Sequence, residues 1–337
     1  MIISQLRPDS LYVMLNMALL SGSSLIYTQS ADKALSTFPF NPAKEILQEE
    51  VSGRLYRKTG PDGGVTFNFT REVKVVGRLR QDAIPLNLIH ARNYYHFLIE
   101  WLPSFAHLLD LQAVTQDSIV VTGLLHRNMS DALNFILGDL QLPILQLRPM
   151  QMVMCDKVLA TPPSSHAAAL LTGGLTDYTY DAANIRRLRR RFAPLWAGDA
   201  DASRRKLYVR RVSTMRHLTN AEEVEALAVE AGYEIVEPEQ MSFFEQVRLF
   251  AGASHIMGPT GAWAANLLFA PPTAKVDIFY GAKCKVEKSL WAMLGQCFGM
   301  TVNDVYCPIT HLNERHPIHS DYHVPAELCH DLLHERA

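Results

Sequence analysis

Cysteine is scarce and shows no pairing pattern. Cys155, Cys284, Cys297, Cys307 and Cys329 form an odd, scattered set with no C-x-x-C spacing, which argues against a disulfide framework or a thiolate zinc site and points to a reducing cytoplasm. A charge excess of either sign is lacking too. Lys+Arg 32 against Asp+Glu 34 leaves a formal net charge of −2, so no global positive field exists to hold a polyphosphate backbone, and nucleic acid is not expected as a partner. The fairly apolar stretch Leu11 to Tyr27 is interrupted by Asn16 and by Ser21-Gly22-Ser23-Ser24, short of the ~20 continuous apolar residues of a membrane span. Its start, with Arg7 offset by Asp9, lacks the cationic character of a secretory signal. Asn68-Phe69-Thr70 and Asn128-Met129-Ser130 then read as chance sequons. A G-x-G-x-x-G fingerprint after a strand is also missing, against a Rossmann-type oxidoreductase.

What remains is an ordinary globular composition, 48% apolar and 20% charged over 337 residues, a length that favours two domains. Between Arg54 and Arg80 the alternation in Val65-Thr66-Phe67-Asn68-Phe69 and the turn Pro61-Asp62-Gly63-Gly64 predict a β-hairpin extension. The spacing then predicts a strand near 83–90, a long helix from Asn93 to about Leu111, a strand at 119–122 and a helix at 131–137. Strands follow around Ile144 and over 153–160, and the alternation implies a mostly parallel sheet. Arg186, Arg187, Arg189, Arg190 and Arg191 decorate a helix whose Ile185, Leu188 and Phe192 share one side. Such a face is either a solvated surface, the favoured reading, or a patch for peripheral contact with an anionic membrane at its inner face. The run from Trp196 to Arg205 lacks apolar periodicity and reads as a linker.

Beyond it comes a β-α-β-α-β-α-β series: a strand at 207–210, a capping-box-like Asn220 to Glu223, and a strand at 233–236. A regular capping box from Ser242 to Glu245 leads to a strand at 255–257, the turn Gly258-Pro259-Thr260-Gly261, a short helix 262–269 and a strand at 275–280. The expected domains are 1–195 with the hairpin extension, a linker at 196–205, a second, Rossmann-like domain at 206–310, and a tail at 311–337 that could pack back on the first domain. Six of the 13 histidines crowd this tail (His311, His316, His319, His323, His330 and His334). Pro317 and Pro325 break helix there and no carboxylate sits at a metalloprotease spacing, so a surface tail is expected rather than a metal site.

Two stretches could carry chemistry. Ligands of open α/β sheets sit at the carboxyl ends of strands, and Gly258-Pro259-Thr260-Gly261-Ala262 is a strand-to-helix corner whose small residues and free N–H groups suit a phosphate or carboxylate. Arg210, Arg211 and Arg216, after a neighbouring strand, could clamp phosphate oxygens or form a solvated basic loop. In the first half Asn93 is a natural N-cap, and His96 and Glu100 lie four residues apart on one helical face, as a base and acid pair or as hydrogen-bonded core residues. Pro103 interrupts the same helix.

Taken together these stretches resemble glycosyltransferase family 61. The residues that carry the resemblance are Asn93, His96, Glu100, Leu102 and Pro103; Tyr208-Val209-Arg210-Arg211 through Arg216, Asn220 and Glu223 to the run Pro238–Gln246; and Gly258-Pro259-Thr260-Gly261-Ala262 with the following Asn266–Pro271. The likeness covers roughly residues 80 to 280, in order. It implies an α/β, GT-B-like fold of two Rossmann-like domains facing a central cleft. It also implies inverting transfer from a nucleotide sugar to a glycan or other hydroxyl acceptor, in cell-surface polysaccharide synthesis of the capsular type, with no cofactor and no metal held by a D-x-D motif. Here Asp199-Ala200-Asp201 falls in the expected linker. Thr260 stands where the family usually has His, Arg210 where it has Ser, Ala221 where it has an acidic residue, and Asp277 where it has Glu; Arg210 offers charge that compensates for the missing imidazole.

The expected site follows. His96 or Glu100 deprotonates the acceptor, with Asn93 beside them. Arg210, Arg211, Arg216, Gly258, Thr260, Gly261, Ala262 and Asn266 hold the donor, and Glu239 or Glu245 its ribose. The alternative is a degenerate member that binds a nucleotide or glycan without turnover.

Overall fold

A computed structural model describes residues 2–5, 11–36, 54–61, 64–86, 88–90, 92–166, 169–170, 174–175, 179–197, 205–212, 215–281, 290–314 and 319–334. The chain divides into two compact units, Met1–Leu188 and Arg189–Ala337. That division falls inside the arginine-rich helix, upstream of the expected linker, of which residues 198–204 lie outside the described set.

The first unit is built on an eight-stranded sheet in the order β1-β4-β3-β2-β10-β7-β8-β9. Its strands are β1 (Ile2–Gln5), β2 (Tyr12–Leu20), β3 (Leu25–Thr28), β4 (Lys33–Ser36), β7 (Lys74–Leu86), β8 (Ser118–Gly123), β9 (Ile144–Leu147) and β10 (Gln151–Ala160). The strands that the alternation predicts do pair in parallel, and the strands β2, β3 and β4 added beside them make the whole sheet mixed. β10, β7, β8 and β9 pair in parallel, but β10–β2, β2–β3 and β3–β4 are antiparallel. The reason is local. The polar break Ser21–Ser24 is a tight turn with Gly22 at φ 90, and so short a connection can only join antiparallel neighbours. The expected hairpin is present as β5 (Leu55–Thr59) against β6 (Val65–Phe69), paired antiparallel; Asp62 and Gly63 of its turn lie outside the described residues.

Met17, Leu19, Ile26, Ala83, Val121, Val153 and Val158 form one core cluster of this unit, and Leu20, Tyr27, Leu55 and Phe67 belong to a second. The helix expected over 93–111 is not continuous α-helix. Residues His96–Trp101 form a π-helical turn, followed by α1 (Leu102–Asp110). Pro103 has no N–H to give to the preceding turn, and the Leu102 N–H reaches back to the Phe97 carbonyl, five residues away. α2 (Arg127–Leu137) precedes β9, and the short strands β11 (Ser165–His166), β12 (Ala169–Leu170), β13 (Gly174–Leu175) and β14 (Thr179–Tyr180) precede α3 (Ala182–Phe192).

The second unit holds an all-parallel five-stranded sheet, order β16-β15-β17-β18-β19. Its strands are β15 (Arg205–Val209), β16 (Glu234–Val236), β17 (Ala253–Pro259), β18 (Lys275–Gly281) and β19 (Val302–Cys307). The connections are α4 (Ala221–Glu230), α5 (Phe243–Ala251), a 3₁₀ segment Ala262–Leu268 and α6 (Leu290–Gln296). In chain order this is the 2-1-3-4-5 arrangement of doubly wound sheets, whose switch point lies between β15 and β17. α5 starts with the expected capping box, Ser242 Oγ accepting the Glu245 N–H and Glu245 Oε2 accepting the Ser242 N–H at 2.8 Å. Phe192, Phe243 and Phe269 meet with ring centroids 5.3–5.8 Å apart, each burial stabilising by about 1.5–3 kcal/mol.

The described residues 319–334 of the stretch expected as a surface tail enter the core of this unit. After β20 (Ile309–His311) and β21 (Asp321–Tyr322), α7 (Ala326–His334) follows. Tyr322, Val324, Cys329, Leu332 and Leu333 are buried with Tyr208, Val224, Ala228 and Tyr233. The histidines mask the apolar period Cys329, Leu332, Leu333 that drives this packing; His316 and Pro317 lie outside the described residues.

Of the arginines on α3, Arg187 pairs with Asp110 and Arg189 donates to the Leu268 carbonyl at 2.6 Å. Arg187 and Arg189 are therefore engaged by the protein rather than given to solvent. No helix among the described residues is long and apolar enough to cross a membrane.

Candidate active site

In the first unit the site grows from the end of β7. Asn93 Oδ1 accepts the Tyr95 N–H at 3.0 Å, and the Asn93 N–H is held by the His90 carbonyl at 2.7 Å. Asn93 thus caps the turn and its side-chain oxygen is spent on the backbone. The π-helical register that follows sets His96 over Glu100, with His96 Nδ1 2.7 Å from Glu100 Oε2. Glu100 is buried, with 6% of its side chain exposed, while His96 keeps 25%. With Glu100 accepting, Nδ1 carries the proton and Nε2 keeps its lone pair. Among the described residues Nε2 has no hydrogen-bond partner. His90 stacks on the His96 ring, centroids 4.4 Å apart and planes at 20°. Burial first, then the neighbouring His96 and Arg54, pull the His90 imidazole down to about 3, so it lies against His96 as a neutral ring.

In the second unit the expected donor residues gather at the switch point. β15 and β17 approach so closely that a Cβ on Gly258 would lie 2.6 Å from the Val209 carbonyl oxygen; only glycine fits. Past the strand ends, a Cβ on Gly261 would stand 3.4 Å from Arg211 Cδ and Nε, so the Arg211 side chain lies over the turn. Burial, and after it the neighbouring Arg216, lower the Arg211 guanidinium to about 10, with Tyr322 and Glu239 acting the other way. Two cations and Glu239 therefore share the carboxyl end of the sheet beside Gly261, with Ala262 exposed at the start of the 3₁₀ segment.

Arg216 sits at φ 60, a conformation that surrounding structure must hold. The holding element is the C-terminal segment. His217 N donates to Asp321 Oδ1 at 2.8 Å, Tyr322 N to the His217 carbonyl at 3.0 Å and Thr219 N to the Tyr322 carbonyl at 2.8 Å. Asn220 stands at the N-cap of α4 as expected and donates to Glu223 Oε2 at 2.9 Å, but its side chain caps no backbone N–H of the helix and instead exchanges two bonds with Val324, 2.8 and 3.0 Å.

Three expected donor residues are placed elsewhere. Arg210 gives its fork to Glu225 and a further bond to Glu237 at 2.8 Å, and these carboxylates raise its pKa further. Arg210 and Arg211, the two residues after β15, thus engage different neighbours, Arg210 the carboxylates of Glu225 and Glu237 and Arg211 the turn at Gly261. The Glu245 carboxylate is committed to the capping box. Asn266 is fully buried and donates to Gln246 Oε1 at 2.8 Å, while Gln246 Nε2 donates to the Pro238 carbonyl at 2.7 Å; it ties the 3₁₀ segment to α5. Sequence reasoning missed His90 and Trp291, whose Nε1–H donates to Thr260 Oγ1 at 2.9 Å, and neither carries a local signal. A chain of hydrogen bonds, buried at Tyr233, His255 and Asp277 and ending at the exposed Asn303, links the lower parts of β17, β18 and β19. Among the described residues no group of three or more His, Cys, Asp or Glu is placed to hold a metal ion.

A family model described as Glycosyltransferase 61 matches residues 94–276, just over half of the chain. The matched span takes in the His96–Glu100 pair, Arg211, Arg216 and the whole Gly258–Ala262 turn. No curated protein matches the chain. The protein is a glycosyltransferase, an enzyme that takes a sugar from a donor and passes it to a glycan acceptor. By the extent of that match, the chain belongs to glycosyltransferase family 61.

Proposed function

We propose that this glycosyltransferase has a GT-B arrangement and transfers its sugar from a nucleotide-sugar donor with inversion, without a metal, the second unit binding the nucleoside diphosphate and the first supplying the base. The observation that carries the reading is the pair Arg211 and Arg216 at the switch point of a doubly wound sheet, beside a turn that only glycine allows at position 258. Two partly desolvated cations repel one another, and a diphosphate relieves that repulsion. Glu239 is suited to the ribose hydroxyls.

In the transfer, the acceptor oxygen attacks the anomeric carbon while the bond from that carbon to the phosphate oxygen breaks. The acceptor proton passes to His96 Nε2, and the nucleoside diphosphate leaves with the bonding electrons. Glu100 fixes the tautomer and stabilises the imidazolium that forms, which makes His96 the base and Glu100 its orienting partner. Arg211 and Arg216 meet the charge that develops on the leaving group. The role in cell-surface polysaccharide synthesis, on the cytoplasmic side of a membrane, belongs to the same proposal through the family likeness.

A thermal-shift screen of nucleotides and nucleotide sugars tests the reading. Selective stabilisation by one nucleoside diphosphate and its sugar conjugate supports it. Binding without release of nucleoside diphosphate across a broad acceptor panel supports instead a binder without turnover.

A further inference from the structure

The bond between Trp291 and Thr260 has only one possible direction. An indole N–H donates and cannot accept, so at 2.9 Å from Trp291 Nε1 the Thr260 oxygen is the acceptor. A threonine hydroxyl carries a single proton. With one side of the oxygen turned toward the indole, that proton must leave along another direction, and among the described residues no acceptor receives it. Thr260 is 6% exposed, and a buried donor without an acceptor is costly. The backbone around it is equally fixed. The Thr260 N–H is given to the Phe279 carbonyl at 3.0 Å, and the Pro259 carbonyl accepts Trp263 Nε1 at 2.6 Å. Two indoles thus lock the turn, one through the backbone and one through the hydroxyl, next to Gly261 and the Arg211 side chain that lies over it.

We infer that Trp291 is a positioning residue that aims the Thr260 hydroxyl proton at a phosphate oxygen of the donor, so that a neutral hydroxyl and the Arg211 guanidinium hold the diphosphate together. The inference rests on the reading of this turn as the donor site. It predicts that affinity for the diphosphate, and not for the nucleoside, depends on a residue from α6.

The test is isothermal titration of uridine, adenosine, guanosine and cytidine, and of their diphosphates, into the full chain. The proteins are wild type, Thr260→Val, Thr260→Ser, Trp291→Phe and the Thr260→Val/Trp291→Phe double variant. Expected is a loss of roughly 10-fold or more in diphosphate affinity for Thr260→Val, the range for a hydrogen bond to a charged group. Thr260→Ser stays near wild type, Trp291→Phe loses part of the affinity, and the double variant is no weaker than Thr260→Val alone. Nucleoside binding stays unchanged throughout. Should Trp291→Phe fail to fold, the Val and Ser variants of Thr260 still decide whether the hydroxyl is used. Wild-type diphosphate affinity in Thr260→Val and Trp291→Phe overturns the inference, as does equal loss of nucleoside and diphosphate. If wild type binds none of the four diphosphates, the donor-site reading itself fails.

Discussion

Glu100 Oε2 lies 2.7 Å from His96 Nδ1, with the carboxylate buried and the ring partly open. A base with one nitrogen tied to a buried carboxylate has its other nitrogen oriented for it. Glu100→Gln keeps the size of the side chain but offers an amide N–H to Nδ1, which favours the tautomer with the proton on Nε2. Transfer should drop by ~10²–10⁴ in kcat, the usual contribution of a general base, with nucleotide affinity unchanged. Steady-state kinetics with parallel nucleotide titration checks this.

Arg210 and Arg211 are adjacent in sequence and separate in role. Arg211→Ala should weaken nucleoside diphosphate binding and reduce transfer by ~10²–10³, as for loss of one donor to a developing charge. Arg210→Ala should leave nucleotide affinity within about twofold. It removes ion pairs made by a side chain that is 41% exposed, and such pairs contribute about 0–1 kcal/mol. Equal effects of the two variants on nucleotide affinity would contradict the assignment.

Gly258→Ala should destabilise the second unit. The added methyl would stand 2.6 Å from the Val209 carbonyl oxygen, a backbone atom that cannot rotate away, and such overpacking typically costs about 1–3 kcal/mol. Thermal melts should show a lower midpoint, with nucleotide affinity falling as β15 and β17 are forced apart.

His90 gives the fold a dependence on acid. Its pKa is about 3 in the folded chain against an ordinary 6.5, so between those values the unfolded chain binds the proton and the folded one does not. This contribution to stability is fully present above pH 6.5 and is lost as pH falls, by up to about 1.4 kcal/mol per pH unit, until about pH 3. His90→Asn, a residue that tolerates the φ of 53 at this position, should flatten the slope of stability against pH in that window. An unchanged slope in paired melts from pH 4 to 7 would show that His90 is not the titrating group.

The second unit was legible in the sequence because its signals agree: apolar strands, helix starts with Ser242 and Glu245, and small residues at 258 and 261 all predict the same βα series. Residues 12–36 were not, since the apolar run Leu11–Tyr27 reads alike as a broken span or as two strands, and only pairing with β10 distinguishes them. The π-helical turn was hidden because Pro103 announces an interruption without saying how the register adjusts upstream. In the site, the His96–Glu100 pair was visible as an i, i+4 spacing. The separation of Arg210 from Arg211 depends on where β15 ends, and the Trp291 bond to Thr260 spans 31 residues. Contacts made across the fold leave no local pattern to read.

The most direct measurement is a transfer assay with the stabilising nucleotide sugar and a glycan acceptor, following nucleoside diphosphate release and the anomeric configuration of the product by NMR, for wild type and His96→Ala. The account predicts an inverted product from wild type, and from His96→Ala a rate lower by at least ~10² with nucleoside diphosphate bound as tightly as before. A product with retained configuration, or wild-type turnover by His96→Ala, would contradict it.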